Sequence, residues 1–415
     1  MPASPATPAT PAVPAVSALL AVLVMTLLVT LQPVSTDLYL PALPMLVADL
    51  GTTVAAVQLT LSALMVSYGA GQLVWGPVSD RFGRRPVLLA GLGLYVASAL
   101  SGAFAPSVSV LVACRVLQGA ALGSAVVCAR AMVRDLYEPV EGTRIMTLSL
   151  SGVGVISMTV PMVGGWLAAH WGWRAALAAS AMFALATLAL IALRVPETLR
   201  DKAAPVRAGT LVRGYAGIAR SPAFLTWTML CAFGYAANFG FYATSSFVFV
   251  GRFGLSAPVF GAVLGSASIA YLLGTLCCRR WVGLHGVQTT VRRGGWLTMS
   301  ACALFVLPAL ADAHTPWTLS AAIWLQLFAY GIQQPCGQVG MVAPFPAQAG
   351  SASALGGCVL ALGGFVAASV VGAVFDGSAR SLALATGVLV FASGAVALAL
   401  VPRFGMQRAL AVVPG

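Results

Sequence analysis

Polar residues divide this chain into apolar stretches, each of about the 20 residues a helix needs to cross a bilayer. Six come first, approximately 17–43, 54–75, 86–104, 107–128, 145–168 and 174–193. Six more follow, approximately 223–249, 258–278, 294–312, 317–337, 352–374 and 381–401. The longest polar interval, RVPETLRDKAAPVRAGTLVRGYAGIARSP at 194–222, separates the two sixes. The pattern predicts an all-α membrane protein with twelve transmembrane helices in two pseudo-symmetric six-helix bundles. The expected organisation is a Pro/Ala tail (1–16, disordered or polyproline-like), a first bundle (17–193), a cytoplasmic linker (194–222), a second bundle (223–402) and a cytoplasmic tail (403–415). Two parallel six-span repeats place a binding site at their interface near the membrane midplane.

Composition agrees with that pattern. Charged residues make up 8% and hydrophobic ones 60%, with a mean hydropathy of +0.94; a soluble chain of this length carries about a quarter charged residues. The net charge of +12 would suit a nucleic-acid partner, but its distribution argues against one. Eighteen of the 22 basic residues fall in alternate connections or the C-terminal tail: Arg81, Arg84, Arg85; Arg130, Arg134, Arg144; Arg194, Arg200, Lys202, Arg207, Arg213, Arg220; Arg279, Arg280, Arg292, Arg293; Arg403, Arg408. The other side has Arg174, Arg252 and Arg380. By the positive-inside rule both termini are cytoplasmic. The eight cysteines form no zinc-like spacing and read as small apolar packing residues. No P-loop occurs, which excludes ATP-driven transport by this chain alone. The three histidines fall between the apolar stretches, so no cluster of acid–base or metal-ligating groups suggests a membrane enzyme.

Nine of the ten acids lie between spans or at their ends; Asp37, in STDLYLPALP (35–44), lies within an apolar run. An ionisable group there costs a few kcal/mol and commonly marks an ion or substrate path. Arg115, in LVACRVLQGAALGSA (111–125), is the basic residue inside a span.

The loop after the second span reads GPVSDRFGRRPVLL (76–89), and the corresponding place after the eighth has the weaker GTLCCRR (274–280). Positive charge alone does not account for glycines flanking an Asp-Arg pair. The loop resembles the major facilitator superfamily pattern G-x-x-x-D-R-x-G-R-R/K, matched at Gly76, Asp80, Arg81, Gly83, Arg84 and Arg85. The resemblance implies that Gly76 lets span 2 approach span 11, that Asp80 faces the start of span 11, where a helix dipole favours a carboxylate, and that Arg81 pairs with Asp135. Together these residues would latch the cytoplasmic side shut. Arg115, Gln118 and Gly119 match the family's span-4 pattern, which assigns Arg115 to proton coupling. In span 5, Pro161, Gly164 and Gly165 resemble the antiporter signature G-P-x-x-G-G, with Val160 in place of its first glycine; they imply a hinge or a tight contact with span 8.

TDLYLPALP, RDLY (134–137) and residues 51–86 resemble drug/proton antiporters, most of all the bicyclomycin/chloramphenicol-resistance (Bcr/CflA) branch. The resemblance implies export of small amphipathic compounds in exchange for one proton, with Asp37 binding substrate and proton in turn. The proton is the coupling ion and no other cofactor is expected; the implied setting is a monomer among lipids of a bacterial inner membrane. Cavity walls are expected from Tyr39, Gln58, Met65 and Tyr68 in the first half, and from Tyr235, Asn238, Phe239, Tyr242, Tyr330, Gln333 and Gln334 in the second. Export of one metabolite, or of phenicols alone, is the alternative.

Overall fold

A computed structural model of the chain describes residues 17–199, 208–345 and 348–405; the 1–16 tail, Arg200, Lys202, Arg207 and Arg408 lie outside them. The described residues are almost wholly helical, with no strand among them. The first half contains α1 (Ala18–Asp37), α2 (Leu43–Asp49), α3 (Val54–Phe82), α4 (Arg84–Ala103), α5 (Val108–Leu136), α6 (Pro139–Trp171) and α7 (Trp173–Arg194). A linker helix α8 (Ala208–Ala219) leads to α9 (Pro222–Ser246), α10 (Ala257–Leu310), α11 (Pro316–Val342), α12 (Ala349–Val374) and α13 (Ala379–Ala395), which continues as wider turns to Gly405.

Among the described residues, nine helical stretches are long and apolar enough to cross a membrane. One of them, α10, spans 54 residues and turns back at Gly286, so it supplies two crossings. With the 25-residue α9 and the 27-residue α11, the count reaches twelve. The expected loop at 279–293 is therefore helix on both sides of a single glycine, whose φ of 75° is costly for any residue with a Cβ. Gly83, with φ of 107°, likewise makes the whole turn between α3 and α4. Elsewhere the ends are set by side chains: Ser17, Thr53, Ser107, Ser221, Thr315 and Ser378 each accept a backbone N–H of the first helical turn.

Span 1 departs from a continuous helix. Pro41 has no N–H to return to the Asp37 carbonyl, and Pro44 none for Leu40. The helix stops at Asp37, passes through one tight turn (Leu40–Ala42) and restarts as α2.

The halves meet along α6 with α10 and along α3 with α12. Small residues permit both contacts. A Cβ on Gly165 would collide with the Ala257 carbonyl, and one on Gly261 with that of Pro161. This is the expected approach of span 5 to span 8. The approach of α3 to α12 occurs at Gly69, against Ala361, and not at Gly76, whose nearest neighbour is Val127 of α5. At the level of Gly76 a cavity lined by Ser351 and Ser353 separates α3 from α12, so the predicted role falls to a glycine two turns earlier.

Candidate functional site

Asp37 sits at the break in span 1, half-buried between two fully packed neighbours, Thr36 and Leu38. Its carboxylate accepts one side-chain hydrogen bond, from Thr36 Oγ1 at 2.7 Å. Among the described residues it has no ion-pair partner. A carboxylate in this setting is free to take a proton or to attract a cation.

Arg115 points elsewhere. Its Nη1 donates to the Ser35 carbonyl at 3.1 Å and to Gln118 Oε1 at 3.0 Å, and its guanidinium lies 4.0 Å from the Tyr39 ring centroid. It is 1% exposed, and its Nε and Nη2 have no partner among the described residues. Desolvating a cation this fully is expensive unless nearby dipoles and π faces compensate. Ser35 and Tyr95 complete the surroundings through a short hydroxyl–hydroxyl bond. Arg115 therefore anchors the end of α1 two residues before Asp37, without neutralising it.

The expected cavity residues divide into two groups. Tyr68, Tyr235 and Tyr242 remain half-buried, like Asp37. Tyr235 stacks on Phe239 (5.9 Å between centroids, 12° between planes), and its hydroxyl donates to Met65 Sδ at 3.3 Å across the two halves. Tyr235, Phe239 and Met65 thus make one aromatic, weakly polar contact between the halves. Tyr39 does not join it: it is buried, with its hydroxyl on Thr60 and its ring under Arg115. Gln58 is also removed. Its Nε2 donates to the Ala243 carbonyl at 3.4 Å and Thr244 Oγ1 at 3.2 Å, and its side chain fills the space beside Gly372. It ties α3 to α9 and α12 and is not part of the wall.

In the second half, Asn238, Tyr330 and Gln333 are buried with polar atoms that have no partner among the described residues. Gln334 accepts from the Tyr271 hydroxyl at 2.7 Å. Tyr271, half-buried and 6.0 Å from the Tyr330 ring centroid, is an aromatic the sequence reading passed over.

At the other end of α3 the expected network is present with one partner exchanged. Arg84, not Arg81, joins the two acids: it donates to Asp80 Oδ1, and from Nε to Asp135 Oδ2 at 2.9 Å. Arg84 is 2% exposed, because the Gly83 turn folds it inward, whereas Arg81 is exposed and lies against the Phe82 ring. Asp80 faces the first turn of α12 across a small cavity, as expected. Arg85 donates to the Ala192 carbonyl at 2.8 Å. Glu197, assigned from sequence to the linker alone, accepts the backbone N–H groups of Arg84 and Arg85 at 2.9 and 3.2 Å, and those of Thr198 and Leu199 at 2.9 Å each. It fastens the end of span 6 to the 83–85 turn; its place in Pro-Glu-Thr, directly after an apolar run, was the available signal.

Gly164 completes the site from behind. A Cβ there would collide with the Leu38 carbonyl, so α6 packs directly on the break that presents Asp37.

Comparison with known proteins agrees with this arrangement. The family model of the Major Facilitator Superfamily matches residues 25–368. An uncharacterised MFS-type transporter, YdgK of Bacillus subtilis, is 31% identical over 350 residues, covering 83% of this chain and 87% of its own. Multidrug resistance protein D of Escherichia coli is 29% identical over 355 residues, covering 83% and 86%. A chloramphenicol resistance protein of Pseudomonas aeruginosa is 29% identical over 290 residues, covering 70% and 68%. With twelve crossings in two halves and a family match over most of its length, the chain belongs to the major facilitator superfamily.

Proposed function

We propose that this multi-pass membrane protein is a secondary efflux transporter of the Bcr/CflA type, exporting small amphipathic compounds in exchange for protons. The observation that carries the reading is Asp37: a half-buried acid at a helix break inside the membrane, with no ion-pair partner among the described residues. Ionised, it holds a substrate or waits facing the cytoplasm. A proton arriving from outside discharges it, weakens substrate binding and favours return. Coupling then follows from competition of two ligands for one group, each preferring a different state of the carrier. Arg115 keeps the break in place, and its charge makes movement of α1 sensitive to the charge on Asp37.

Both relatives named for drug resistance support the substrate class. The walls suit it: aromatic faces, one thioether and a few amides accept many shapes. In this reading the termini are cytoplasmic, the carrier works as a monomer in a bacterial inner membrane, and the proton is its sole coupling ion. One acid implies one proton per cycle, electroneutral with monovalent cations and electrogenic with neutral drugs.

The test follows decay of an imposed proton gradient in inverted vesicles while amphenicols, bicyclic antibiotics and cationic dyes are added. A compound that collapses the gradient with wild type and not with Asp37→Asn supports the proposal. Equal behaviour of the two removes Asp37 as the coupling group.

A further inference from the structure

A cavity of about 260 Å³ lies beside the latch, walled by both halves and the linker helix. Gln72, Gly76 and Asp80 of α3, Arg130 and Arg134 of α5, Ser351 and Ser353 of α12, and Tyr215 of α8 all line it, as does the latch residue Arg84. Three guanidiniums thus face one carboxylate. That carboxylate, Asp80, is already bound by Arg84, as is Asp135.

The other two arginines have little to hold. Arg130 donates from Nη1 to Ser353 Oγ at 3.1 Å, and Arg134 stands 3.9 Å from Asp135. Each guanidinium has five N–H donors, so most of their capacity toward the cavity is unspent by the contacts described. The opposite wall is also a donor surface. Ser351 and Ser353 present hydroxyls, α12 has no acid in its first turn, and Gln348 makes no side-chain cap there. With Asp135 counted beside the lining groups the cluster keeps a net charge of +1, and the cavity is large enough for a tetrahedral anion with some water, which matches the chemistry arginine pairs recognise in phosphate.

We propose that this cavity binds a phosphate-type anion, held by Arg130 and Arg134 from the first half and by Ser351 and Ser353 from the second. An anion there ties α5 to α12 and holds this side of the carrier shut. The site lies apart from Asp37, and its occupancy does not depend on proton coupling. Two sources present the same group: soluble phosphate, or the headgroup of an anionic lipid reaching in from the bilayer surface.

The test uses the purified full-length protein. One arm titrates inorganic phosphate against lipid-depleted protein in detergent at constant ionic strength and records thermal unfolding. The other records unfolding in nanodiscs of phosphatidylcholine with and without phosphatidylglycerol. Stabilisation by phosphate assigns a soluble anion, and stabilisation by phosphatidylglycerol alone assigns a lipid. In either case Arg130→Gln/Arg134→Gln raises the half-saturating concentration about tenfold, as expected for losing charge-assisted hydrogen bonds. Arg279→Gln/Arg280→Gln removes the same charge from an exposed helix surface outside this cavity and leaves the response unchanged. Should the first double variant not fold, Ser353→Asp places a fixed acid beside Arg130 and abolishes the response. No stabilisation of wild type in either arm overturns the proposal. So does an equal loss in both double variants, or a full response in Ser353→Asp.

Discussion

The two halves share an architecture and differ in what they bury. The first buries charge: Arg115 and Arg84 are 1% and 2% exposed, and Asp37 stands half-buried at a helix break. The second carries neutral polar groups in the corresponding depth, Asn238, Gln326, Tyr330 and Gln333, all buried. Burying a charge without pairing costs far more than burying an amide. In the proposed mechanism the first half, with few arrangements that satisfy its charges, is the coupling device, and the second, with neutral amides, is the wall that accepts different ligands.

Asp37→Asn tests that contrast with the largest expected effect. It preserves shape and one hydrogen bond to Thr36 while removing the titrating group. Proton-linked export should fall to background, with the protein still folded, as read by gradient decay in vesicles and by expression level. If Asn238→Ala in the second half has an equal effect on every substrate, the division of labour is wrong.

Arg84→Ala comes next. It leaves Asp80 and Asp135 without their shared cation; Asp80 is nearly half exposed and water can replace part of what it loses, so the cost is about 1.5–3 kcal/mol, below that of a fully buried pair. Transport should drop severely and thermal stability with it. Arg81→Ala, lost from an exposed position, should be close to wild type in stability; the reverse order would restore the pairing expected from sequence.

Gln58→Ala has an intermediate effect. It removes hydrogen bonds to Ala243 and Thr244, each worth about 1 kcal/mol net. The balance of states should shift toward the one open on that side by up to about thirtyfold, measured as inter-half distances by spin-label spectroscopy. An unchanged distance distribution would make Gln58 simple packing.

The smallest effect is at Asp376, in the turn before α13. Its exposed carboxylate accepts from the Ser378 N–H and Ser381 Oγ, which hold its pKa down to about 2. A depressed acid contributes stability above its unfolded value, and that contribution is lost as pH falls through the folded one. Between pH 7 and 5 unfolding should not respond to Asp376→Asn in a pH-dependent way; below about pH 4 the wild type should lose its small advantage.

Much of this was legible in the chain. Twelve apolar stretches and the 76–85 loop specify spans and family, because bilayer thickness and the cost of unpaired backbone in lipid leave few options. Asp37 stood out for the same reason: lipid makes a lone acid conspicuous. Partners were another matter. Whether Arg81 or Arg84 holds Asp135 depends on a single φ at Gly83, which the motif does not encode. Gln58 and Tyr39 read as cavity walls because both are polar groups inside spans, yet packing turned one against the facing half and the other under Arg115. The meeting of Arg130 with Ser353, over 200 residues away, leaves no local trace at all. Hydrophobic patterning places a helix in the membrane; which way its polar side chains turn is settled only when other helices close around them.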